Sequence, residues 1–401
     1  MKILIISQYF YPENFKINDI AISLVQKGHE VEVLTGTPNY PFGDFYYGFK
    51  FWSNNDGFYE GIKIHRAKLI PRKKGGKIML SLNYLSFVFF GFFKLITINS
   101  DFDRILTFAP SPITVGILGS LASIKFNAKT LLWVQDLWPA SVKVAGGVKN
   151  TLILNLLDFL TRKIYHFTDL ILIQSEFFKN YITNQNVDHD KIYYLPNYAE
   201  EFYKPLDSDE VIKRSFGNEF SVLFAGNIGE AQNLKILVDA ARILKDQKYK
   251  VKFIIIGEGR FKSDLRLYID KLDLKNFFTF LGYIEPTQIP KYFASADSLY
   301  ISLKPAEIFS LTIPSKLQTY MACGRPIIAS IGGVTAKIIN ESNCGFDSKP
   351  GDSILLAKNI IKMLKLSNEE RIEMSTNAIK YYEKNFDKKI IMNKLETLLN
   401  Q

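Results

Sequence analysis

Two lysines and several hydroxyl side chains lie in one short segment of the second half of the chain. Lys304 and Lys316 flank Ser310 and Thr312, between a predicted strand and a predicted helix. Open α/β sheets bind ligands at the carboxyl ends of their strands, and a helix N-terminus stabilises an anion there. The segment therefore predicts a diphosphate site. A helix capped by Ser315, with Lys316 in solvent, accounts for the same residues without a ligand.

Two glycine turns follow predicted strands in the same half. Gly226-Asn227-Ile228-Gly229 comes after residues 222–225, and Gly257-Glu258-Gly259 comes after residues 252–256. Glycine there lets backbone N–H groups face a phosphate, although a plain strand-to-helix turn would use it equally well. Neither turn, nor the end of the first predicted strand, has the G-x-G-x-x-G pattern, so a dinucleotide oxidoreductase is disfavoured.

Metal and disulfide chemistry have little support in the sequence. The chain has two cysteines, Cys323 and Cys344, and four histidines without metal-ligand spacing. No Asp-x-Asp pair follows a predicted strand, so we expect no bound metal. The start of the chain has one charge and a short apolar run, which predicts no signal peptide and a location inside the cell.

The elements that position these residues alternate between strands and helices throughout the chain. With 401 residues, 47% of them apolar, two domains are expected. The pattern predicts helices such as 16–27 and 151–165, and an α/β protein with two doubly wound Rossmann-like domains. The predicted strands are 2–10, 30–34, 104–107, 130–134 and 170–174 in the first half, and 221–225, 252–256, 277–281, 298–301 and 326–329 in the second.

Positive charge is concentrated in one segment of the first half. Residues 61–100 contain eight Lys or Arg and no Asp or Glu, whereas the whole chain has a net charge of +10. The apolar run 78–93 follows, and it is shorter than the roughly 20 residues that span a bilayer. We expect residues 66–94 to contact an anionic membrane surface, and a buried core helix beside a solvated basic loop is the alternative. The expected contacts are Arg72, Lys73, Lys74, Lys77, Phe89 and Phe90. No nucleic-acid motif is present, so nucleic acid is not an expected partner.

Ordered motifs in both halves resemble a known family. The second-half motifs are Phe224-Ala225-Gly226-Asn227, Ile256-Gly257-Glu258-Gly259, Leu281-Gly282-Tyr283, Ala296-Asp297, and Pro314-Ser315-Lys316 through residues 321–326. Those of the first half are residues 8–19, Gly28-His29-Glu30-Val31, Pro38-Asn39-Tyr40-Pro41 and residues 133–139. The second-half motifs are similar to those of family-4 glycosyltransferases of the GT-B fold, in which two Rossmann-like domains face each other across a cleft. The first half is similar to a narrower group, which includes the N-acetyl-L-fucosamine transferases of bacterial O-antigen and capsule assembly, of the staphylococcal capsule type.

The resemblance implies a division of labour between the domains. Residues 1–198 would bind the acceptor, residues 199–380 would bind the nucleotide sugar, and a helix in 381–401 would fold back on the first domain. It also implies a retaining, metal-independent transfer. The expected donor-binding residues are Gly226, Asn227, Gln232, Gly257, Lys304, Ser310, Thr312, Lys316 and Thr319.

The sequence departs from the family pattern at the donor site. Asn227 and Gln232 stand where the family commonly has Arg and Lys, and Thr319 stands where it has a ribose-binding Glu. The partner acidic position falls on Leu311, which leaves Glu307 as the nearest carboxylate and a catalytic candidate. We expect Lys304 and Lys316 to replace the lost positive charge.

Polar residues at two strand ends of the first half complete the expected site. Asp136 follows the strand 130–134 and could orient the acceptor hydroxyl or stabilise positive charge at the anomeric carbon. Capping of the turn before Pro139 explains it equally well. The expected acceptor-binding residues at the end of the first strand are Asn14, Lys16, Asn18 and Asp19, with helix capping as the alternative role of Asn14.

The expectation is a glycosyltransferase on the inner face of the cell membrane. The donor would be UDP-N-acetyl-L-fucosamine, a substrate rather than a cofactor, and the acceptor an undecaprenyl-diphosphate-linked sugar. Two alternatives stay open. One is a sugar-nucleotide epimerase of the same fold, and the other is an inactive membrane-bound scaffold in which Thr319 and Gln232 mark lost chemistry.

Overall fold

The computed structural model describes residues 1–53, 55–73, 76–144 and 147–401, and the side chain of Lys77 is not among the described groups. The chain forms two compact units. The first contains Met1–Pro196 together with Met392–Gln401, and the second contains Asn197–Ile391.

The first unit is built on an eight-stranded sheet. Seven strands are parallel, and only the short edge strand β3 runs antiparallel, against β4. The sheet order is β3-β4-β2-β1-β5-β6-β7-β8, so β1 lies centrally between β2 and β5. The strands are β1 (Lys2–Ile6), β2 (Glu30–Gly36), β3 (Gly57–Tyr59), β4 (Ile62–Ala67), β5 (Arg104–Ala109), β6 (Lys129–Val134), β7 (Leu170–Ile173) and β8 (Ile192–Tyr194).

Helices connect these parallel strands. Right-handed crossovers from β4 onward all advance in one direction across the sheet, so α2, α3 and α5 lie on the same face. Glycines let them pack closely, since a Cβ at Gly91 would lie 2.6 Å from Leu118, and one at Gly116 would lie 2.4 Å from Ile164. The helices are α1 (Lys16–Gln26), α2 (Lys77–Thr97), α3 (Val115–Phe126), α4 (Ala140–Val144), α5 (Thr151–His166) and α6 (Phe178–Thr183).

The second unit has a six-stranded, fully parallel sheet. Its order is β11-β10-β9-β12-β13-β14, the strand order of a doubly wound dinucleotide-type fold. The chain reverses direction across the sheet between β9 and β12, which is where such sheets bind ligands. The strands are β9 (Phe220–Ala225), β10 (Val251–Ile256), β11 (Phe278–Gly282), β12 (Ser298–Ser302), β13 (Ile327–Ser330) and β14 (Gly345–Ser348).

Apolar strand residues and helices on both faces bury this sheet. Val222, Phe224, Phe253 and Ile255 belong to one buried cluster with α8 and α14. The helices from residue 197 onward are α7 (Glu210–Phe216), α8 (Lys235–Asp246), α9 (Lys262–Lys271), α10 (Ile289–Ser295), α11 (Glu307–Leu311), α12 (Ser315–Ala322), α13 (Gly333–Ser342), α14 (Ser353–Lys365), α15 (Asn368–Asn385) and α16 (Lys388–Leu399). The two units confirm the predicted pair of doubly wound α/β domains.

The C-terminal segment differs in detail from the expected single helix in 381–401. α15 continues to Asn385, α16 begins at Lys388, and only the residues from Met392 onward group with the first unit. There Lys27 Nζ lies 2.6 Å from Glu396 Oε2, and Arg104 Nε donates to the carbonyl oxygen of Leu399 at 2.6 Å. Leu395 and Leu399 are fully buried.

Candidate active site

The two glycine turns of the second unit lie against each other at the carboxyl ends of β9 and β10. Gly226 has a φ of 143° and Gly257 a φ of 127°, and residues with a side chain rarely adopt such backbone angles. A Cβ at Gly257 would lie 2.0 Å from the carbonyl oxygen of Gly226. The backbone N–H of Ile228 donates to the carbonyl of Glu258 at 2.8 Å. Glycine is therefore required where the two turns meet.

Gly226 also leaves space for Lys316. A Cβ at Gly226 would lie 2.6 Å from Lys316 Cε and 2.8 Å from its Nζ. The Nζ atom sits 5.3 Å from the centroid of the Phe224 ring and 3.4 Å from Gln232 Oε1. Burial lowers the pKa of Lys316 to about 8. Within the described ranges no carboxylate pairs with this ammonium, so an anion at the strand ends would be its counter-charge.

Lys304 differs from Lys316 in this respect. Its ammonium forms an ion pair with Glu230, and its backbone N–H donates to the carbonyl of Ala231 at 2.9 Å. Lys304 lowers the pKa of the Glu230 carboxyl. The two lysines are therefore not equivalent, because only Lys316 has an uncompensated charge at the glycine turns.

Asn227 and Gln232 occupy the same edge of the sheet. Asn227 is exposed, and its side-chain amide lies beside Gly229 and Gly259, where an added Cβ would come within 2.9 Å and 2.7 Å of it, respectively. The carbonyl of Gln232 accepts a hydrogen bond from Ser302 Oγ at 2.5 Å. These neutral amides thus lie at the carboxyl edge of the second sheet, and the Gln232 amide is next to the Lys316 ammonium.

The hydroxyls beyond Lys304 are bonded to nearby backbone. Ser310 Oγ donates to the carbonyl of Glu307 at 2.6 Å, and Thr312 Oγ1 donates to that of Ile308 at 2.9 Å. Thr319 Oγ1 likewise donates to the carbonyl of Lys316 at 3.1 Å. Each of these three hydroxyl groups therefore has only its acceptor lone pairs left to offer to a ligand. Glu307 is exposed in the first turn of α11.

The alternative interpretation, in which Ser315 caps α12, is wrong. Ser315 is the first helical residue rather than the cap, and Pro314 occupies the cap position without a side-chain hydrogen bond. The N–H groups of the first turn therefore have no capping side chain, and Lys316 is the second residue of that turn.

In the first unit, Asp136 lies just beyond the end of β6. Burial raises the pKa of Asp136 to about 6, against the hydrogen-bonding groups of Ser141, Leu137 and Trp138, which lower it. The Trp138 ring is mostly buried and lies 6.4 Å from the Tyr84 ring. Asp136 is therefore a carboxyl group that gains or loses its proton near pH 6.

The predicted acceptor residues play different parts. Asn18 Oδ1 accepts from the N–H of Tyr11 at 3.1 Å, and its Nδ2 donates to the carbonyl of Glu13 at 2.7 Å. Asn18 therefore fixes the turn after β1 with both ends of its amide, and its contact with an acceptor stays a prediction. α1 begins at Lys16 after a cap at Phe15, so Asn14 is not the cap and is exposed. Lys16 and Asp19 are half-buried in the first turn of α1.

Sequence reasoning missed Glu13 as a structural carboxylate in this region. Glu13 is 1% exposed, and its Oε1 accepts from the N–H groups of Asn39 at 2.8 Å and Tyr40 at 2.7 Å. Burial raises the pKa of Glu13 to about 7. The motif Pro38-Asn39-Tyr40-Pro41 was a signal for this loop, but nothing in it indicated that Glu13 would hold it.

The four basic residues among the predicted membrane contacts divide into three groups. Arg72 is half-buried, and its guanidinium packs on the rings of Tyr9 and Tyr40, so its contact with a membrane stays a prediction. Lys73 is exposed and pairs with Asp44 at 2.6 Å. Lys74 and the side chain of Lys77 lie outside the described groups.

The apolar run forms a longer helix than its sequence predicted. Residues 78–97 of α2 are long and apolar enough to cross a membrane by length and composition alone, as the core helix of a soluble protein also can be. Asn83 is fully buried, and its Oδ1 accepts from Gln8 Nε2 at 2.7 Å, which ties this face to the end of β1. Phe90 is half-buried against Phe51. The opposite face exposes a continuous apolar row: Ile78, Leu82, Leu85, Phe89, Phe92, Phe93 and Ile96.

This fold and the glycine-lysine site define a class of enzyme. Residues 207–381 match the family described as glycosyl transferases group 1. Sucrose-phosphate synthase from Thermosynechococcus elongatus superposes over 100% of this chain and 98% of its own, with a TM-score of 0.75 and 16% identity. The chain is a glycosyltransferase with the GT-B fold, and the part of its second unit that matches the group 1 model is residues 207–381.

Two relatives in sequence are named for the biosynthesis of colanic acid and amylovoran. The putative colanic acid biosynthesis glycosyl transferase WcaI of Escherichia coli is 24% identical over 98% of both chains. The amylovoran biosynthesis glycosyltransferase AmsK of Erwinia amylovora is 27% identical over 35% of both chains. Anabaena HepE, solved in complex with UDP and glucose, has a TM-score of 0.69 and 18% identity, covering 100% of this chain and 99% of its own. The finer resemblance to family-4 N-acetyl-L-fucosamine transferases stays a prediction.

Proposed function

We propose that this enzyme transfers N-acetyl-L-fucosamine, a deoxy-amino sugar, from a UDP donor to an undecaprenyl-diphosphate-linked sugar during assembly of a surface polysaccharide. The observation that carries the proposal is Lys316, an ammonium without a carboxylate partner in the described structure, placed against Gly226 at the ligand-binding edge of the second sheet. The names of WcaI and AmsK support the polysaccharide context, and the UDP complex of HepE supports the donor class.

The leaving group of this transfer is a nucleoside diphosphate. Lys316 and the uncapped first turn of α12 stabilise the negative charge that develops on the diphosphate as its bond to the donor sugar breaks. Glycine at residue 226 lets the ammonium approach, and the amide of Gln232 orients it. Lysine chemistry of this kind needs no bound metal, and we propose a metal-independent reaction. Among the described residues no group of His, Cys, Asp or Glu side chains could hold a metal ion.

Asp136 supplies the carboxylate of the first unit. Above its pKa of about 6 it is ionised, and it then orients the acceptor hydroxyl or stabilises positive charge at the anomeric carbon. Glu307, the other catalytic candidate, is exposed in the first turn of α11.

A polyprenyl acceptor requires that the enzyme works at a membrane surface. The exposed apolar row of α2 runs the length of the helix, and Phe89 within it is 58% exposed. Segment 61–100 carries only positive charges, which suits an anionic leaflet. We propose that α2 lies along the inner face of the cell membrane, with Asn83 holding its other face to the first unit.

Mass spectrometry of lipid-linked products tests the proposed reaction. The purified enzyme is incubated with an undecaprenyl-diphosphate sugar and a panel of UDP-sugars, with Lys316→Met as the matched variant of reduced donor affinity. A single added deoxy-amino sugar is expected. Conversion of the UDP-sugar without an acceptor would indicate an epimerase, and no conversion with any donor would indicate a scaffold. Either result overturns the proposal.

A further inference from the structure

Arg72 has surroundings that a surface charge would not need. It lies in the loop between β4 and α2, at the carboxyl edge of the first sheet. Its guanidinium carbon is 4.9 Å from the ring centroid of Tyr40 and 5.4 Å from that of Tyr9. One Nη atom donates to the hydroxyl of Tyr9 at 2.5 Å. The side chain is therefore held in one orientation by two rings and a hydrogen bond.

The groups that hold Arg72 are themselves fixed. The Tyr9 ring stacks on Phe15, with the centroids 4.4 Å apart and the planes 8° from parallel. Tyr40 is anchored through its N–H to the Glu13 carboxyl, and the N–H of Arg72 itself donates to Asn39 Oδ1 at 3.2 Å. Most of these partners lie in the loops that follow β1 and β2, so the end of the sheet positions the guanidinium.

The acid nearest in effect to Arg72 is Glu13, whose pKa burial raises and Arg72 lowers, but its carboxyl is held by the backbone N–H groups of Asn39 and Tyr40. Within the described ranges no carboxylate lies at ion-pair distance from Arg72, and the hydroxyl of Tyr9 is its one side-chain hydrogen-bond partner. Its two basic neighbours differ, since Lys73 pairs with Asp44 and the guanidinium of Arg66 donates to the carbonyls of Gly36 and Tyr11. A guanidinium has several N–H donors in a planar fork that matches a phosphate.

We propose that Arg72 binds a phosphate group of the acceptor, which the proposed function identifies as the lipid-linked diphosphate. The inference rests on that function for the identity of the ligand, and on the geometry of Arg72 for the binding of a phosphate-type anion. It moves Arg72 from the membrane surface to the acceptor site, where its part is recognition of the substrate rather than attraction to a leaflet.

Paired acceptors test the inference through turnover. One is a short-chain, water-soluble diphosphate-linked sugar, and the other is the same sugar on an uncharged alkyl chain. Arg72→Gln should raise KM for the diphosphate acceptor by about tenfold or more, because a charged hydrogen bond to phosphate is lost. KM for the UDP-sugar and turnover of the uncharged acceptor should change little. Arg72→Lys should recover part of the loss, since it restores the charge without the fork.

The control is Arg162→Gln, which removes an arginine of the same unit that is paired with Asp158. It should leave both acceptors unaffected. Equal losses of Arg72→Gln on both acceptors would indicate a structural role and overturn the inference, as would no loss on either. Unchanged turnover of the diphosphate acceptor with a loss of binding to anionic vesicles would identify a lipid headgroup as the ligand, and would also overturn it.

A binding measurement keeps the inference separate from the proposed function. Calorimetry with inorganic pyrophosphate uses the Lys316→Met protein, in which anion binding by the second unit is weakened. Binding is expected there and should be lost in Lys316→Met/Arg72→Gln. The unaltered enzyme could turn over no acceptor while Lys316→Met binds pyrophosphate and the double variant does not. In that case the proposed function fails and the anion site stands. Absence of pyrophosphate binding would refute the anion site itself.

Discussion

Replacing Lys316 with methionine removes the ammonium group while keeping an aliphatic side chain over Phe224. A charged hydrogen bond to phosphate contributes about 1.5–3 kcal/mol, which corresponds to a loss of roughly 10- to 150-fold in UDP affinity. The structure favours the upper part of this range, because no carboxylate among the described residues shares the ammonium. Isothermal titration calorimetry with UDP measures the change directly.

Lys304→Met is the matched control. Its ammonium already pairs with Glu230 on an exposed surface, and exposed ion pairs contribute only about 0–1 kcal/mol. UDP affinity should therefore fall much less than in Lys316→Met. Equal effects of the two substitutions would show that the pairing of Lys304 does not distinguish the lysines. An unchanged affinity in Lys316→Met would remove Lys316 from the donor site.

The pKa of Lys316 gives the same experiment two further readouts. Its charge is lost as pH rises through about 8, so UDP affinity of the unaltered enzyme should decline there, and Lys316→Met should lack this dependence. Because burial lowers the pKa below that of the unfolded chain, the unfolded state binds more protons between pH 8 and 10.5, and stability contributed by this residue rises over that interval. The variant should therefore have an equal or higher Tm at pH 7, and a lower one would indicate a packing defect.

Four further predictions concern other parts of the enzyme. Asp136→Asn should lower kcat and abolish an acidic limb with an apparent pKa near 6, below which the native carboxylate is protonated; a persistent limb in the variant would assign it elsewhere. Treatment with EDTA should leave turnover intact, whereas loss that Mg²⁺ or Mn²⁺ restores would reveal a metal site. Replacing Phe89 and Phe93 with Gln should release the enzyme from anionic vesicles in a flotation assay, and unchanged flotation would exclude this face of α2. Gly257→Ala should lower the Tm measurably, because the added Cβ meets the carbonyl of Gly226 at 2.0 Å; an unchanged Tm would contradict the tight contact.

The alternation of apolar runs and turns predicted the central strands of both sheets, because parallel strands buried on both faces are almost continuously apolar. β3, β4, β8 and β14 were not predicted. β3, β8 and β14 are short, and β14 reads Gly345-Phe346-Asp347-Ser348, which has no apolar pattern. The first strand was predicted to run to residue 10 but ends at Ile6. Residues 7–10 are buried in the loop after β1, and buried residues next to a strand resemble a continuation of it in the sequence.

The site residues were predictable by type and position but not by partner. The two lysines follow the same strand, and sequence alone could not show that Glu230, 74 positions from Lys304, would neutralise one of them. Arg72 stands in a basic run, so its charge suggested a surface role. Its hydrogen-bond partner Tyr9 is 63 positions away, a contact that only the folded sheet creates.

Membership of residues 392–401 in the first unit has a consequence for the order of folding. Met392, Leu395 and Leu399 are buried there, and Lys129 Nζ donates to the carbonyl of Gln401 at 2.7 Å. During synthesis the second unit emerges as a continuous stretch, whereas the first must wait for its last helix until after the second has been made. A chain released at residue 391 should therefore contain a completed second unit beside a first unit with an uncovered apolar surface. Such intermediates are prone to aggregation, so fusion partners that delay or obstruct this segment are expected to lower the yield of soluble enzyme.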